Sequence, residues 1–150
     1  MTNSELVQRW FENLWNRGIE STIDEILAPD AVVHGLGEAD IQGRAGFHEF
    51  YRVFRAAFPA VTVTVEQVLE SGDYATCRAH VEVMSADGRG PFSFDGSCVV
   101  RIPDGLVEEG WNYFDFLTLL TEMGAVPRDA MATALAAAPA PAAAAVPAPA

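Results

Sequence analysis

The stretch 43-GRAGFHEFYRVFRAAFPAVTVTVE-66 changes its apolar period at Pro59, and this change predicts the fold. Before the proline, aromatic residues recur at intervals of three and four, as on one face of a helix. These residues are Phe47, Phe50, Tyr51, Phe54 and Phe58. After the proline, Val61, Val63 and Val65 alternate with polar residues, as in a strand that is buried on one face. The stretch therefore predicts a long amphipathic helix that leads into a half-buried strand.

The strand pattern continues beyond this stretch, with turn signals between the alternating runs. Ser71-Gly72-Asp73 and Pro103-Asp104-Gly105 contain the residues that tight turns prefer. The predicted strands are Tyr74–Met84, Phe92–Ile102 and Leu106–Asp115, and a short helix over Phe116–Met123 follows them. The second half of the chain is therefore predicted to form an antiparallel meander.

Two further helices are predicted before residues 43–66. Thr2 and Glu5 have the spacing of a capping box at the start of a helix that ends near Gly18. A second helix is predicted over Thr22–Leu27 and a short strand over Ala31–His34. Helices and antiparallel strands that are segregated along the chain are typical of the α+β class. Because long strands twist and curl, we expect a curved sheet around the aromatic helix, with one apolar pocket at its open end.

The composition changes sharply near Val126-Pro127. From Ala130 onward the chain consists almost entirely of alanine and proline. Such a segment has little varied apolar surface to pack, and its prolines favour extended conformations. We therefore expect one pocket domain over residues 1–126 and a disordered Ala/Pro-rich tail over residues 127–150.

Charge and composition exclude several classes of function. The formal net charge of −12 provides no electrostatic footprint for nucleic acid and repels an anionic membrane. No apolar run before the tail has the length of a membrane span, and the first residues lack an apolar signal core. The two cysteines, Cys77 and Cys98, form no CxxC pair, and the three histidines lack metal-ligand spacing. These features predict a cytoplasmic protein that binds neither nucleic acid nor membrane and holds no metal.

Asp115 is the leading candidate for chemistry. It ends a predicted strand in which alternation places Trp111 and Tyr113 on its own face. A carboxylate beside two large aromatic rings is partly desolvated, which raises its pKa and makes it a usable general base or acid near neutral pH. Asp is also a preferred helix N-cap. On spacing alone, a plain cap for the helix Phe116–Met123 is equally consistent with the sequence.

Other residues are candidates for a supporting role. His34 ends the first strand and can donate or accept a proton near pH 7, although a partly exposed loop histidine has the same appearance. Arg78 and His80 lie on the polar face of a strand, which faces either the pocket or a subunit interface. The aromatic residues Phe11, Trp15 and Phe54 could line a ligand cavity, but aromatic residues at helical spacing are also typical of a plain core.

Several segments, in this order and spacing, resemble the SnoaL-like polyketide cyclase family of the nuclear transport factor 2-like superfamily. They are Leu6–Asn16 followed by Arg-Gly, Leu27–His34, Gly43-Arg-x-Gly-Phe, Phe54-Arg-Ala-Ala-Phe-Pro59, Asp104-Gly105-Leu-Val-Glu-Glu, and Trp111-x-x-x-Asp115-x-Leu117-x-Leu-Leu. The resemblance covers nearly all of residues 4–124. It implies a cone in which a strongly curved, mixed or antiparallel sheet surrounds a long helix, as in a cystatin-like α+β barrel with a deep pocket. It also implies a homodimer or tetramer that is paired through the sheet.

The resemblance further implies an enzyme that closes a ring by intramolecular aldol condensation, without metal or cofactor. Asp115 then occupies the position of the acid/base carboxylate, and His34 a position that often faces the pocket. One departure concerns the segment Val83–Gly90, which is short and lacks the Thr-His-x-Gly turn of cyclase-like members. His80, just upstream, is a candidate to substitute in part for that missing histidine.

Three functions are consistent with these residues. The first is a cofactor-free acid/base enzyme that cyclises or isomerises a carbonyl-rich or polycyclic small molecule. The second is a non-catalytic domain that binds an apolar ligand against Trp15, Trp111 and Tyr113. The third is an epoxide hydrolase-like activity on the same fold, for which Arg78 or Arg101 would have to assist Asp115.

Overall fold

The computed structural model describes residues 1–139. Its helices are α1 (Asn3–Arg9), α2 (Thr22–Ile26), α3 (Gly43–Ala57), α4 (Phe116–Glu122) and α5 (Ala130–Ala137). Its strands are β1 (Leu27–His34), β2 (Ile41–Gln42), β3 (Ala60–Ser71), β4 (Tyr74–Met84), β5 (Phe92–Arg101) and β6 (Val107–Phe114). Most predicted elements are present with bounds shifted by a few residues. The two-residue strand β2 was not predicted.

The predicted capping box opens α1. The backbone N–H of Glu5 donates to Thr2 Oγ1 at 3.1 Å, and the backbone N–H of Thr2 donates to Glu5 Oε2 at 2.7 Å. The helix then widens into π-helical turns over Trp10–Asn16, in which Arg17 N–H donates to Glu12 O. A π-helical turn changes the angular spacing of side chains, so the apolar pattern predicts this helix but not its widening.

The six strands form one curled, open sheet in the order β2-β1-β6-β5-β4-β3. All neighbouring pairs are antiparallel except β1 and β6, which run parallel. The prediction of an α+β fold with a curved mixed sheet around a long helix is confirmed. The parallel pair brings His34 opposite Trp111 in the register of the sheet, although the two residues are far apart in the chain.

The aromatic face of α3 lies against the concave face of the sheet. Phe47 and Tyr51 are buried, and Tyr51 OH donates to Leu14 O at 3.1 Å, which links α3 to the N-terminal helix. Phe50 and Phe54 are only half-buried although they belong to the same face. The helix therefore fills part of the concavity, and the remaining space is the cavity described below.

The predicted tail lies partly outside the described residues. Ala130–Ala137 form α5, whose side chains are exposed except for that of Ala130, whereas residues 140–150 are not described. The boundary after residue 126 stays a prediction. Over residues 1–139, no helix combines the length and the apolar character that crossing a membrane requires.

Candidate active-site pocket

An apolar cavity opens between α3, the N-terminal helix and the concave face of the sheet. It holds about 880 Å³ of space free of protein atoms, including its open mouth. Nine aromatic residues contribute to its wall: Trp10, Phe11, Trp15, Phe47, Phe50, Phe54, Phe94, Phe114 and Phe116. Within residues 1–139, none of the lining side chains is charged. The cavity is therefore suited to an apolar or polycyclic ligand.

Three of the predicted ligand contacts lie in this wall. Phe11, Trp15 and Phe54 all line the cavity. The rings of Trp15 and Phe54 meet edge to face at 5.3 Å, an arrangement that adds to the energy of their burial. These contacts give the helical side of the cavity a stiff aromatic surface.

Successive side chains of strand β6 face alternately toward the cavity and away from it. Gly110, Asn112 and Phe114 line the cavity, whereas Trp111 lies on the outer face and Tyr113 there is 64% exposed. This placement corrects the expectation that Trp111 and Tyr113 flank a pocket carboxylate. Strand periodicity determines which residues share a face but not which face is covered. A glycine and an asparagine leave open the space that two large aromatic side chains would fill.

Asn112 is the polar group that the sequence interpretation missed. Its Nδ2 donates to His34 O at 2.9 Å. Because a carbonyl oxygen can only accept, this bond fixes the orientation of the amide. The second Nδ2 hydrogen and Oδ1 remain as the donor and the acceptor of the side chain. The available signal was an asparagine in the middle of a strand, where its propensity is low.

Asp115 is the N-cap of α4. Thr118 N–H donates to Asp115 Oδ1 at 3.0 Å, and Thr118 Oγ1 donates to Oδ2 at 2.6 Å. These hydrogen bonds stabilise the charged carboxylate and lower its pKa below the usual value for aspartate. The prediction of a raised pKa is therefore wrong. Asp115 caps the helix, which was the alternative interpretation of the sequence. Its exposed side chain is not part of the described lining, although Phe114 and Phe116, its neighbours in the chain, both line the cavity.

The cap leads to a stability prediction. Asp115→Ala should lower the free energy of unfolding by about 1 kcal/mol, and Asp115→Asn by a few tenths, since Asn caps nearly as well. A carboxyl whose pKa is lowered by folding stabilises the protein above its unfolded pKa, and this contribution is lost as pH falls through the folded pKa. The Ala and wild-type curves should therefore converge in acid. Urea unfolding at several pH values measures this, and equal stability of all three proteins at pH 7 would contradict the cap.

His34 lies on the outer face, with both ring nitrogens engaged. Nε2 is 2.7 Å from Glu109 Oε2 and Nδ1 is 3.0 Å from Asp40 Oδ1. The hydrogen bond with Glu109, followed by that with Asp40, raises the pKa of His34 above the usual histidine value. The imidazole stacks on Trp111 with 5.7 Å between ring centroids. His34 thus takes part in the pocket through its backbone carbonyl, which holds Asn112, rather than through its ring.

The outer face of β4 carries the other two polar candidates. Arg78 forms an ion pair with Glu66. His80 Nδ1 is 2.7 Å from Asp95 Oδ1, and this hydrogen bond raises the pKa of His80. Cys77 and Ala79, which alternate with Arg78 and His80 along the strand, are buried on the concave face. Of the two alternatives left open by the sequence, the structure places Arg78 and His80 on the side opposite the cavity.

Metal-ligating side chains do not converge in the described part of the chain. Over residues 1–139 there is no group of three or more His, Cys, Asp or Glu side chains with a geometry that could hold a metal ion.

Comparison with known proteins identifies related sequences and structures. The family model of SnoaL-like polyketide cyclases matches residues 5–123. No curated protein is similar enough to this chain to count as a match. IdmH of Streptomyces antibioticus, described as a candidate polyketide cyclase, is 26% identical with a TM-score of 0.71. The alignment covers 83% of this chain and 99% of IdmH.

Two further solved structures have the same fold. A candidate polyketide cyclase of Bacillus cereus is 26% identical with a TM-score of 0.71, over 81% of this chain and 79% of that protein. AclR of Streptomyces galilaeus, described as a candidate hydroxylase, is 23% identical with a TM-score of 0.69. That alignment covers 82% of this chain and 96% of AclR. At this identity, the similarity to AclR establishes the fold alone.

Proposed function

Because this chain belongs to the SnoaL-like polyketide cyclase family, we propose that it binds a carbonyl-rich or polycyclic small molecule and cyclises or isomerises it by acid/base chemistry. The family, together with the candidate polyketide cyclases among the structural neighbours, supports a general cyclase- or isomerase-type role. The observation that carries the proposal is an aromatic cavity containing one amide, Asn112, whose orientation is fixed by His34 O.

The amide is suited to holding a reacting oxygen. An enolate or alkoxide oxygen in the cavity would accept a hydrogen bond from the second Nδ2 hydrogen of Asn112. In surroundings as apolar as these, an oriented donor stabilises developing negative charge more strongly than water does. The aromatic wall would hold the two reacting carbons close together, which removes much of the entropic part of the barrier.

Asp115 is the proposed proton acceptor. It would remove a proton from a carbon flanked by two carbonyl groups, and the resulting enolate would attack a ketone of the same molecule. The protonated Asp115 would then return the proton to the new alkoxide. The lowered pKa keeps the carboxylate ionised at neutral pH but makes it a weak base, so this role requires a substrate with an acidic C–H bond. We propose no cofactor.

A non-catalytic binding domain is the second candidate. It is favoured by the uncharged wall of the cavity in the described residues and by the hydrogen bonds between Asp115 and Thr118.

The epoxide hydrolase-like alternative has less support. Arg78 is paired with Glu66 and Arg101 with Glu108, so neither guanidinium is free to assist Asp115.

A matched pair of tryptophan variants tests whether the cavity binds the ligand. Val63 lines the cavity, whereas Thr64, the next residue of β3, is exposed. Val63→Trp should weaken the binding of an apolar probe such as N-phenyl-1-naphthylamine by about 10-fold or more, because the indole occupies the space of the ligand. Thr64→Trp should leave the affinity unchanged. Equal affinities of the two folded variants would mean that the ligand binds outside the cavity. If Val63→Trp does not fold, Val63→Phe takes its place.

Turnover by Asp115→Asn distinguishes the enzyme from the binding domain. Asn preserves the cap but cannot accept a proton from carbon. For carbonyl-rich substrates, the enzyme hypothesis requires that turnover is lost while probe affinity is kept. Unchanged turnover would exclude Asp115 as the base. If the wild type converts none of a panel of such substrates that it binds, the binding domain is the better description.

We also propose that two copies pair through the outer face of the sheet. Trp111, Val99, Thr76 and Leu69 are consecutive register partners across β6, β5, β4 and β3. This row is mostly apolar, and Leu69 is 58% exposed. A two-fold axis would bring the same row of both copies together. Leu69→Glu should give a monomer in light scattering, whereas Thr62→Glu, which is away from the row, should not. A monomeric wild type would contradict the pairing.

The cytoplasm remains the proposed compartment. Two cysteines that are not joined in a disulfide are consistent with it.

A further inference from the structure

Two buried cysteines face each other across neighbouring strands. Cys77 on β4 and Cys98 on β5 are direct register partners. Their Sγ atoms are 3.4 Å apart, and the residues are only 3% and 4% exposed. Neither thiol has a role in the function proposed above. Their pairing depends on the register of two strands and was not predicted from the sequence.

We propose that Cys77 and Cys98 form a reversible disulfide when a small hydroperoxide enters the cavity, which makes the wall of the pocket a redox-sensitive site. The backbone already has a suitable separation. Opposite residues of antiparallel strands have Cα atoms about 4.5–5.5 Å apart, within the range of about 4.4–6.8 Å found for disulfides. The two Sγ atoms, now 3.4 Å apart, need to approach by about 1.4 Å to reach bonding distance. Rotation of the side chains can supply most of this movement.

The cavity provides the route for the oxidant. Cys98 lines the cavity, and its register partner on the other side is Asn112. Cys77 lies beside Cys98 on the same face of the sheet and is not part of the described lining. A small apolar hydroperoxide can therefore reach Cys98 by the path that the ligand takes. A bound ligand should shield the thiol in turn.

The two thiols share a hydrogen bond that favours this chemistry. The S–H of Cys98 stabilises a thiolate on Cys77 and lowers the pKa of Cys77, while the same hydrogen bond, followed by burial, raises the pKa of Cys98. Transfer of the shared proton moves the negative charge between the sulfur atoms. Because the pKa of Cys98 is the higher one, its thiolate is the minor form, and attack on a peroxide in the cavity takes place from that form after Cys77 has taken up the shared proton.

The reaction balances with the hydroperoxide as the oxidant. The Cys98 thiolate attacks the distal peroxide oxygen, the O–O bond breaks, and Cys98 becomes a sulfenic acid while the released alkoxide takes up a proton as an alcohol. The Cys77 thiol then attacks the sulfenic sulfur, the S–S bond forms, and water leaves. Two thiols and one hydroperoxide give one disulfide, one alcohol and one water. A thiol such as dithiothreitol reverses the oxidation by exchange.

The experiment treats the folded full chain with tert-butyl hydroperoxide. The expected result is the loss of two hydrogen atoms in the intact mass, a Cys77–Cys98 cross-link in the non-reducing peptide map, and reversal by dithiothreitol. The cross-link should raise Tm by roughly 5–10 °C because it closes a loop between two strands. Prior saturation with N-phenyl-1-naphthylamine should slow the reaction.

Two single variants are the controls. Cys77→Ser and Cys98→Ser each leave one thiol, so neither variant can form a disulfide within one chain and lose two hydrogen atoms. If Cys98→Ser does not fold, Cys98→Ala takes its place. Three results would overturn the proposal: oxidation that occurs only after unfolding in urea, oxygen gain at one cysteine without the cross-link, or a disulfide between two chains. The inference does not depend on the reaction proposed for the pocket, because its readouts are mass, connectivity and Tm.

Discussion

Replacing Asn112 by leucine is expected to lower kcat for a carbonyl-rich substrate by about 10²–10³-fold, the usual effect of removing one oriented donor to a developing oxyanion. Leucine has nearly the shape of asparagine, so the cavity keeps its volume and gains no charge. It cannot donate to an enolate oxygen, and it leaves His34 O without the hydrogen bond that Asn112 Nδ2 now provides. The affinity for an apolar probe should therefore stay within about twofold, because the aromatic wall is unchanged.

The control for this prediction is Tyr113→Leu, at the next position of β6 on the opposite face. Tyr113 is 64% exposed, so this variant alters the same strand without entering the cavity and should keep the wild-type kcat. The loss of the bond to His34 O should also destabilise Asn112→Leu by about 1–3 kcal/mol. Urea unfolding separates that cost from the kinetic effect. If a folded Asn112→Leu protein retains wild-type kcat, the amide does not hold the reacting oxygen.

Gly35→Ala is expected to lower the free energy of unfolding by about 3–5 kcal/mol, from the combined costs of a strained backbone and of overpacking. Gly35 follows β1 with φ +85°, a conformation that side chains disfavour. A Cβ atom there would be 2.2 Å from Asn112 O, and a backbone oxygen in a sheet cannot easily move aside. The parallel contact between β1 and β6 would have to open, and with it the bond between Asn112 and His34 O.

Gly37 in the same loop is the matched control. Its φ is not positive, and a Cβ atom there would have no neighbour within 4 Å. Gly37→Ala should therefore change stability by less than about 0.5 kcal/mol, as is usual for surface substitutions. Urea unfolding of both variants measures the difference. Equal stabilities would mean that β1 and β6 do not approach each other as closely as the structure has them.

Local patterns in the sequence were sufficient to predict the elements and the fold class. The change of period at Pro59, the spacing of Thr2 and Glu5, and the alternation in β4 each depend on neighbours in the chain. Most elements accordingly appear where they were predicted. The aromatic face of α3 also indicated that this helix would lie in the concavity of the sheet, which it does.

Contacts between distant residues decided the chemistry of the pocket. Alternation placed Trp111 and Tyr113 on one face of β6, but the face that is covered depends on where α3 packs. The sequence was equally consistent with Asp115 as a helix cap and as a general base. Two hydrogen bonds from Thr118 establish the cap, and the role of Asp115 as a base is a proposal. No local signal could assign Asn112 to His34 O, because that bond exists only where two strands run parallel.

The sequence by itself thus determined the helices, the strands, the α+β class and the apolar character of the cavity, because helical and strand periodicity are properties of neighbouring residues. Only the tertiary structure decided which side of β6 faces the ligand, that Asn112 is its polar group, and that Cys77 meets Cys98. Those contacts join residues that are far apart in the chain, so their geometry depends on strand order and register, which no local pattern contains.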